Sequence, residues 1–350
     1  MNLSIKQFYE VDKIAWDAFV TSNSMGYAYH LYDVMLVDWE ARSKNISFAI
    51  LDEKAEIILV SPLHIYKNNL TSRWGFVLRD GLSDIQTRKI SKIFIEYVDT
   101  ILQKYKVYRN FSIKFPPLSE KNKPDKHNLL NPAIFFGFSP TLQYTYVVDL
   151  QKDEDMIFKN CSETTRQYIR HFFKSQEYIF INVENNPMQY FDSYIALNDD
   201  TYNRTKGWKK NTAYYRHIFN LAEKNICKLF FIQEKSTEKI IAAIFVLLYK
   251  DTAYYWWNAS ITEKPDFINR YLVYGTFLEL KKNSIKYFET GGACPYLREG
   301  KQKGLNDFKK SFGTFLHPIY GGIFVRKKEN KIYRLLRICF HKFKEKYSKL

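Results

Sequence analysis

Gly304-Leu305-Asn306-Asp307-Phe308-Lys309-Lys310-Ser311-Phe312-Gly313-Thr314 is the stretch on which the reading of this chain turns. It reads as a short helical segment, crowded with basic and aromatic side chains and closed by a glycine able to take the left-handed conformation that ends helices. Upstream, Tyr287-Phe288-Glu289-Thr290 reads as a short strand running into a Gly291-Gly292 loop. Paired glycines permit positive φ and close approach of backbone to a ligand, and they serve a plain tight turn equally well. Further back, Tyr254-Tyr255-Trp256-Trp257-Asn258-Ala259-Ser260 reads as a strand whose end delivers Asn258 and Ser260 to a loop. Its residues point alternately to opposite faces, so this aromatic run is either core or the wall of a cleft. Downstream, His317 to Val325 reads as one more strand.

Around this centre the chain repeats an order of helices followed by strands. Helices are expected from Asp153 to Lys174, Met188 to Lys206, Thr212 to Lys224 and Asn269 to Lys282, with strands at Lys228–Ile232 and Ile240–Tyr249. The first part shows the same order. Trp16 and Phe19 fall at helical spacing, and a run from His30 to Trp39 puts Leu31, Val34, Met35 and Leu36 on one side. Paired strands, Ile46–Leu51 and Glu56–Leu63, flank the break Asp52-Glu53-Lys54. A helix over Ile85–Tyr105 with Asp84 as its cap, a strand Phe111–Phe115 stopped by Pro116-Pro117, a surface loop over Ser119–Lys126 and a strand Thr145–Leu150 complete it. The expectation is an α/β chain of two lobes divided near residue 145, a duplicated fold without a visible sequence repeat.

Several basic residues sit at telling places. Asn160 reads as a helix cap with Glu163 reaching back, and on that helix Arg166 and Arg170 share one face while Ile169, Phe172 and Phe173 take another. Two guanidinium groups on one face make either a phosphate-sized clamp or a solvated basic surface. Arg204 lies where a helix runs out into Lys206-Gly207-Trp208, a place from which a side chain can reach a ligand.

Composition bounds the rest. The 350 residues, 46% of them hydrophobic, are ample for two buried cores. No apolar run reaches the roughly eighteen residues of a membrane-spanning helix, and the first residues show no secretory leader, so a cytoplasmic protein is expected. Cys161, Cys227, Cys294 and Cys339 are scattered without a CxxC pair, which argues against a disulfide framework or a zinc site. A formal charge of +16 favours polyanionic partners such as RNA, nucleotide diphosphates or anionic lipid, DNA not being among those expected, or it reflects a generally lysine-rich surface. From Ile332 onward, Ile332, Leu335, Leu336, Cys339, Phe340, Phe343 and Tyr347 share one helical side with lysines and arginines elsewhere. Residues 329–350 therefore read as a basic amphipathic helix, lying at the inner face of the cytoplasmic membrane or packed on its own domain.

The run Asp307 to Gly313, preceded by Glu289-Thr290-Gly291-Gly292, resembles the signature near the end of FemAB-type proteins, the peptidoglycan-bridge aminoacyltransferases with tandem GNAT-like lobes. Thr145–Leu150, Arg166-Gln167-Tyr168-Ile169-Arg170, Tyr202-Asn203-Arg204, Ala242-Ala243 and Tyr254–Ser260 follow that family's order. The match covers residues 140 to 320, and the earlier part agrees in architecture only. The resemblance implies an α/β fold, in α+β layers, of two tandem GNAT-like acyl-CoA N-acyltransferase lobes. The first would span residues 1–145, completed by about 314–328, and the second residues 146–313, with 329–350 outside both. No heptad run interrupts the second lobe, so the coiled-coil arm of some members is not expected.

The same resemblance implies an activity. The donor would be an aminoacyl-tRNA or, as in relatives acting on amino sugars of surface glycans, an acyl-CoA; the acceptor would be an amine of a nucleotide- or lipid-linked envelope precursor. Lys309 would stabilise the oxyanion and Phe308 would shape the donor channel. Arg204 would hold a diphosphate, Arg166 and Arg170 phosphate or RNA, and Tyr255, Trp257, Asn258, Ser260, Gly291 and Gly292 would line the substrate cleft. No bound cofactor or metal is implied, and no Cys or Ser nucleophile, because the amine attacks directly. The Gly loop that grips acyl-CoA in ordinary GNAT enzymes is not matched, since Arg298-Glu299-Gly300-Lys301-Gln302-Lys303-Gly304 spaces its glycines differently. Outside the enzymes stands a non-catalytic RNA- or membrane-binding protein.

Overall fold

A computed structural model describes residues 2–37, 44–66, 69–72, 74–107, 111–124, 130–206 and 209–324. The first lobe is built from β1 (Ser4–Gln7), α1 (Lys13–Ser22), α2 (Tyr32–Met35), β2 (Lys44–Asn45), β3 (Phe48–Leu51), β4 (Ile57–Ser61), β5 (Leu63–Tyr66), β6 (Asn69–Ser72), β7 (Val77–Leu78), α3 (Asp84–Lys104) and β8 (Phe111–Lys114). After β9 (Ser139–Asp149) the second lobe follows: α4 (Glu154–Asn160), α5 (Glu163–Ser175), β10 (Tyr178–Val183), α6 (Phe191–Thr205), α7 (Thr212–Glu223), β11 (Cys227–Glu234), β12 (Ile240–Tyr249), β13 (Thr252–Ser260), α8 (Phe267–Lys282), β14 (Tyr287–Ala293) and α9 (Gly300–Lys310). The last described strand, β15 (Phe315–Phe324), returns to the first lobe.

Two sheets carry these strands, one ordered β1-β3-β4-β7 and the other β10-β11-β12-β13-β14-β9-β15-β8-β6-β5-β2. The second runs through both lobes because β9 is shared. One edge of β9 pairs with β14, and the other pairs antiparallel with β15 from Phe315↔Val147 to Ile323↔Ser139, while β15 also pairs with β8. The extended strand begins at Ser139, six positions before the apolar segment Thr145–Leu150 that sequence pattern identifies. Residues Ser139 to Tyr144 are exposed or half-buried, so no hydrophobic alternation announces them.

The core lies on both faces of the second lobe's sheet. On one face Tyr194, Tyr215, Phe219 and Phe245 pack beneath α6 and α7, in a cluster continuous with Trp16, Phe48, Phe76 and Phe94 of the first lobe. The opposite face, beneath α5 and α8, buries Ile169, Phe172, Phe277, Phe288 and Phe312. Two ion-pair clusters also link the lobes: Asp33 lies between Lys13 and Lys224, and Asp251 between Lys123 and Lys286.

Local chemistry revises some sequence expectations. The predicted helix Asp153–Lys174 is two helices, because the Asp153 side chain accepts from Met156 N–H and Ser162 restarts the chain by accepting from Thr165 N–H. Asn160 is therefore the last residue of α4 and not a cap. In α3 the cap is Ser83, in a reciprocal capping box with Gln86, and Asp84 is the first helical residue. The amphipathic run from His30 yields only the four-residue α2, with a 3-10 turn Ala28–His30 before it. Gly291 and Gly292 belong to β14 and not to a loop. Trp39, Gly207, Trp208 and the proposed C-terminal helix 329–350 lie outside the described residues.

Candidate functional site

The site forms where two neighbouring strands part. β13 and β14 run parallel only through Thr252↔Tyr287, Ala253↔Phe288 and Tyr254↔Glu289. Beyond these pairs β13 keeps β12 as its partner and β14 keeps β9. Each strand carries a bulge at the parting. In β13 the extra residue is Trp256, since Phe245 pairs with Trp257 and Val246 with Tyr255. In β14, Glu289 pairs with Val147 and Gly292 with Thr145, so Thr290 and Gly291 together face Tyr146. A bulge of this kind breaks the ladder and re-aims side chains. Thr290 Oγ1 donates to the Tyr146 carbonyl at 3.0 Å, satisfying one group that the broken ladder strands.

The opened space holds a cavity of about 230 Å³ whose lining includes Tyr255, Asn258, Val273, Phe308 and Lys309. α9 forms one wall and is fastened in its second half and just past its C-terminal end. Asn306, buried, receives the Cys294 N–H at 3.1 Å and donates to the Cys294 carbonyl at 2.6 Å. Just past the helix, Ser162 N–H donates to the Ser311 carbonyl at 2.8 Å, and Gly313 at φ +71° passes so close to Asn160 that a Cβ would lie 2.6 Å from that residue's own. Phe308 meets Phe312 edge to face at 5.1 Å, and the Arg270 guanidinium lies 5.8 Å from the Phe308 ring and 4.7 Å from that of Tyr168.

Fixed in this way, Lys309 reaches the bulge. Its Nζ donates to the Gly291 carbonyl at 2.9 Å and to the Gly292 carbonyl at 2.8 Å. An ammonium has three N–H donors, so two carbonyls leave a third to offer at the cavity wall. Glu289 lies close behind: buried, it accepts a hydrogen bond from Thr145 Oγ1, and the Gly291 N–H lies near enough to favour its charged form. Burial pushes the Lys309 pKa below the usual lysine value although the charge of Glu289 opposes it. Burial likewise raises the Glu289 carboxyl, against the Thr145 hydrogen bond, the charge of Lys309 and the Gly291 N–H. For each member of the pair, desolvation outweighs their mutual attraction.

The structure gathers some of the residues singled out from sequence and separates others. Phe308, Lys309, Tyr255 and Asn258 line the cavity, with Gly291 and Gly292 bonded to Lys309. Tyr255 and Asn258 share a face because the Trp256 bulge shifts the alternation between them. Trp257 takes the other face, where its Nε1 donates to Tyr214 Oη at 2.9 Å. Ser260 is buried, and its N–H and carbonyl are both met by Thr201 Oγ1 at 2.9 Å. Arg204 is exposed at the end of α6, with Nη2 3.5 Å from the Ser260 carbonyl. Arg166 Nη1 donates to the Lys159 carbonyl at 3.0 Å and to that of Cys161, closing α4, while exposed Arg170 stacks 5.3 Å from the Phe158 ring. Sequence reading assigned no role to Glu289, Asn306 or Arg270; Glu289 and Arg270 meet Thr145 and Tyr168, more than a hundred residues earlier, and Asn306 meets the backbone of Cys294. Among the described residues no group of three His, Cys, Asp or Glu side chains is placed to hold a metal ion.

No protein-family model matches the chain, and no curated protein matches its sequence. Solved structures do match it. FemX is 14% identical with a TM-score of 0.68, over 96% of this chain and 99% of that one. The C-terminal domain (DUF2156) of a putative lysylphosphatidylglycerol synthetase from Agrobacterium fabrum is 13% identical with a TM-score of 0.60, over 95% and 96% of the two chains. A tandem GNAT protein from the clavulanic acid biosynthesis pathway is 10% identical with a TM-score of 0.55, over 92% and 98%. At such identities the likeness carries the fold alone, and that fold is the tandem GNAT-like architecture of the FemAB type.

Proposed function

We infer that this chain is an acyltransferase forming an amide between an activated acyl or aminoacyl group and an amine of a cell-envelope precursor. The observation that carries this reading is the Lys309 ammonium, tied by two strand carbonyls at the wall of a mostly apolar cavity. The neutral amine attacks the donor carbonyl, a C–N bond forms, and the carbonyl electron pair moves to oxygen beside the third Lys309 N–H. Collapse of that intermediate breaks the C–O bond of a tRNA ester or the C–S bond of a thioester. The proton of the new ammonium passes through water to the leaving group. One preorganised donor at an oxyanion contributes about 3 kcal/mol.

Cavity size supports this division of labour. A volume of about 230 Å³ is below the roughly 300–1,000 Å³ of sites that enclose a drug-sized ligand, so only the terminal acyl or aminoacyl group fits inside. The rest of the donor lies along the surface, where the +16 formal charge and exposed Arg204 and Arg170 favour phosphates. The envelope acceptor is supported by the likeness to FemX and to a lysylphosphatidylglycerol synthetase domain. No described helix is long and apolar enough to cross a membrane, and we place the reaction on the cytoplasmic side.

The donor proposed first is aminoacyl-tRNA. The second is acyl-CoA with an amino sugar acceptor, favoured by the likeness to a tandem GNAT protein. Equilibrium binding separates them. With about three phosphate contacts, tRNA affinity should drop roughly 40-fold between about 50 and 200 mM salt, whereas acyl-CoA binding should change far less. Failure to bind either donor at low salt would remove the reading.

A further inference from the structure

Glu289 is the most buried charged side chain near the site, 5% exposed, and the reaction above makes no use of it. Isolating a carboxylate from water is costly unless hydrogen bonds and an opposite charge compensate. Here they converge on one turn of chain. Thr145 Oγ1 donates to the carboxylate, the Gly291 N–H two residues on lies near enough to favour its charge, and the carbonyl of that same Gly291 receives Lys309 Nζ. Gly291 stands at φ +82°, the conformation that lets its N–H face Glu289 while its carbonyl faces Lys309. A direct role in proton abstraction does not fit. Glu289 pairs in register with Tyr254, whose ring meets Tyr27 on the first-lobe side of the sheet. Its neighbours Phe288 and Thr290 are the β14 side chains that line the cavity.

We propose that Glu289 is a positioning residue that, through the β14 bulge, sets the direction and the charge of Lys309. The inference rests on the acyltransferase reading for its catalytic consequence but not for its physical content. The carboxylate anchors the Gly291 peptide, the peptide aims two carbonyls at Nζ, and the negative charge behind them keeps the ammonium protonated against burial. Titratable groups facing the pair are Tyr27 and Tyr254 around Glu289, and Cys294 around Lys309. None of these three is a carboxylate.

The test is the intrinsic pKa of Lys309, read from the pH dependence of its modification by dilute acetic anhydride and quantified by peptide mass spectrometry in the full chain. Glu289→Gln keeps the side chain's shape and an acceptor oxygen for Thr145 but removes the charge. A neighbouring opposite charge moves a pKa by about 1 unit, so the Lys309 profile of E289Q should shift about that far to lower pH. If turnover is measured, kcat should fall about tenfold with KM little changed, and the alkaline limb of the profile should move to lower pH. Thr145→Val is the milder variant: with one donor lost the carboxyl titrates higher, so Lys309 should shift in the same direction by less. E289Q and T145V profiles that overlay the wild type would overturn the proposal, and if E289Q does not fold, T145V alone decides. Since the labelling needs no substrate, a shifted profile in a protein that transfers nothing would refute the acyltransferase reading and leave this one standing.

Discussion

Removing the Lys309 side chain should separate catalysis from stability. Lys309→Ala deletes the one N–H proposed for the oxyanion together with the two donated to Gly291 and Gly292. Loss of a single oxyanion donor costs roughly 100- to 1,000-fold in kcat, or about 3–4 kcal/mol of barrier. The cost to the fold is much smaller. Gly292 is exposed and Gly291 half-buried, so water can replace the lost donor at both carbonyls. Glu289 loses the cation that opposes the upward push of burial on its carboxyl, which softens the cost of leaving it unpaired. A stability loss of about 1–2 kcal/mol is expected, leaving the protein folded. Lys309→Arg keeps the charge but presents a planar fork that cannot reproduce a tetrahedral ammonium, so it should recover only a small part of the rate. The assay pairs initial rates at saturating donor, by mass spectrometry of the product, with thermal unfolding of the same samples. A folded K309A protein within about threefold of wild-type kcat would refute the argument.

Other consequences follow from the same geometry. Gly313→Ala places a Cβ 2.6 Å from Asn160 Cβ at φ +71°, and should cost about 2–4 kcal/mol, seen as a fall of several degrees in the unfolding temperature; an unchanged curve would show that α9 is not anchored there. Val273→Phe projects a ring into the cavity from α8 and should lower kcat/KM about tenfold or more for bulky acyl donors while sparing the smallest; equal effects on all donors would place the acyl group elsewhere. Burial raises the carboxyls of Asp33 and Asp251, but hydrogen bonds and charge from Lys13 and Lys224, and from Lys123 and Lys286, outweigh it and hold both below the usual 3.8. Groups with depressed folded pKa values contribute stability above their unfolded value and lose it as pH falls through the folded one. The unfolding temperature should therefore stay level from about pH 7 to 5 and drop below about pH 4, and Asp33→Asn should flatten part of that drop.

What could be read from sequence was whatever repeats along the chain. Ile90, Phe94, Val98, Ile101 and Leu102 recur at helical spacing and are the buried face of α3. The unbroken apolar run Ile240–Tyr249 marks a strand buried on both faces. Lys309 and Phe308 could be singled out because their local signature is compact. The rest depends on events without a period. Bulges at Trp256 and at Thr290–Gly291 are mismatches between two strands, invisible in either alone, and they decide that Asn258 enters the cavity while Trp257 leaves it. The two arginines four apart on α5 gave no sign that Arg166 would be held by the carbonyls ending the preceding helix. Glu289 stands in the Glu289–Gly292 segment, but its role was not legible there, because its partner Thr145 lies 144 residues earlier.

The central claim is amide formation, and its most direct measurement is the mass of the acceptor. Nucleotide- and lipid-linked envelope precursors would be incubated with purified protein and either charged tRNA or acyl-CoA, and their masses compared before and after. Amide formation predicts a gain equal to the free carboxylic or amino acid less one water, stable to mild base as an amide is, present with one donor and absent with K309A. Unchanged precursor masses with both donors, under conditions where the donors bind, would contradict it.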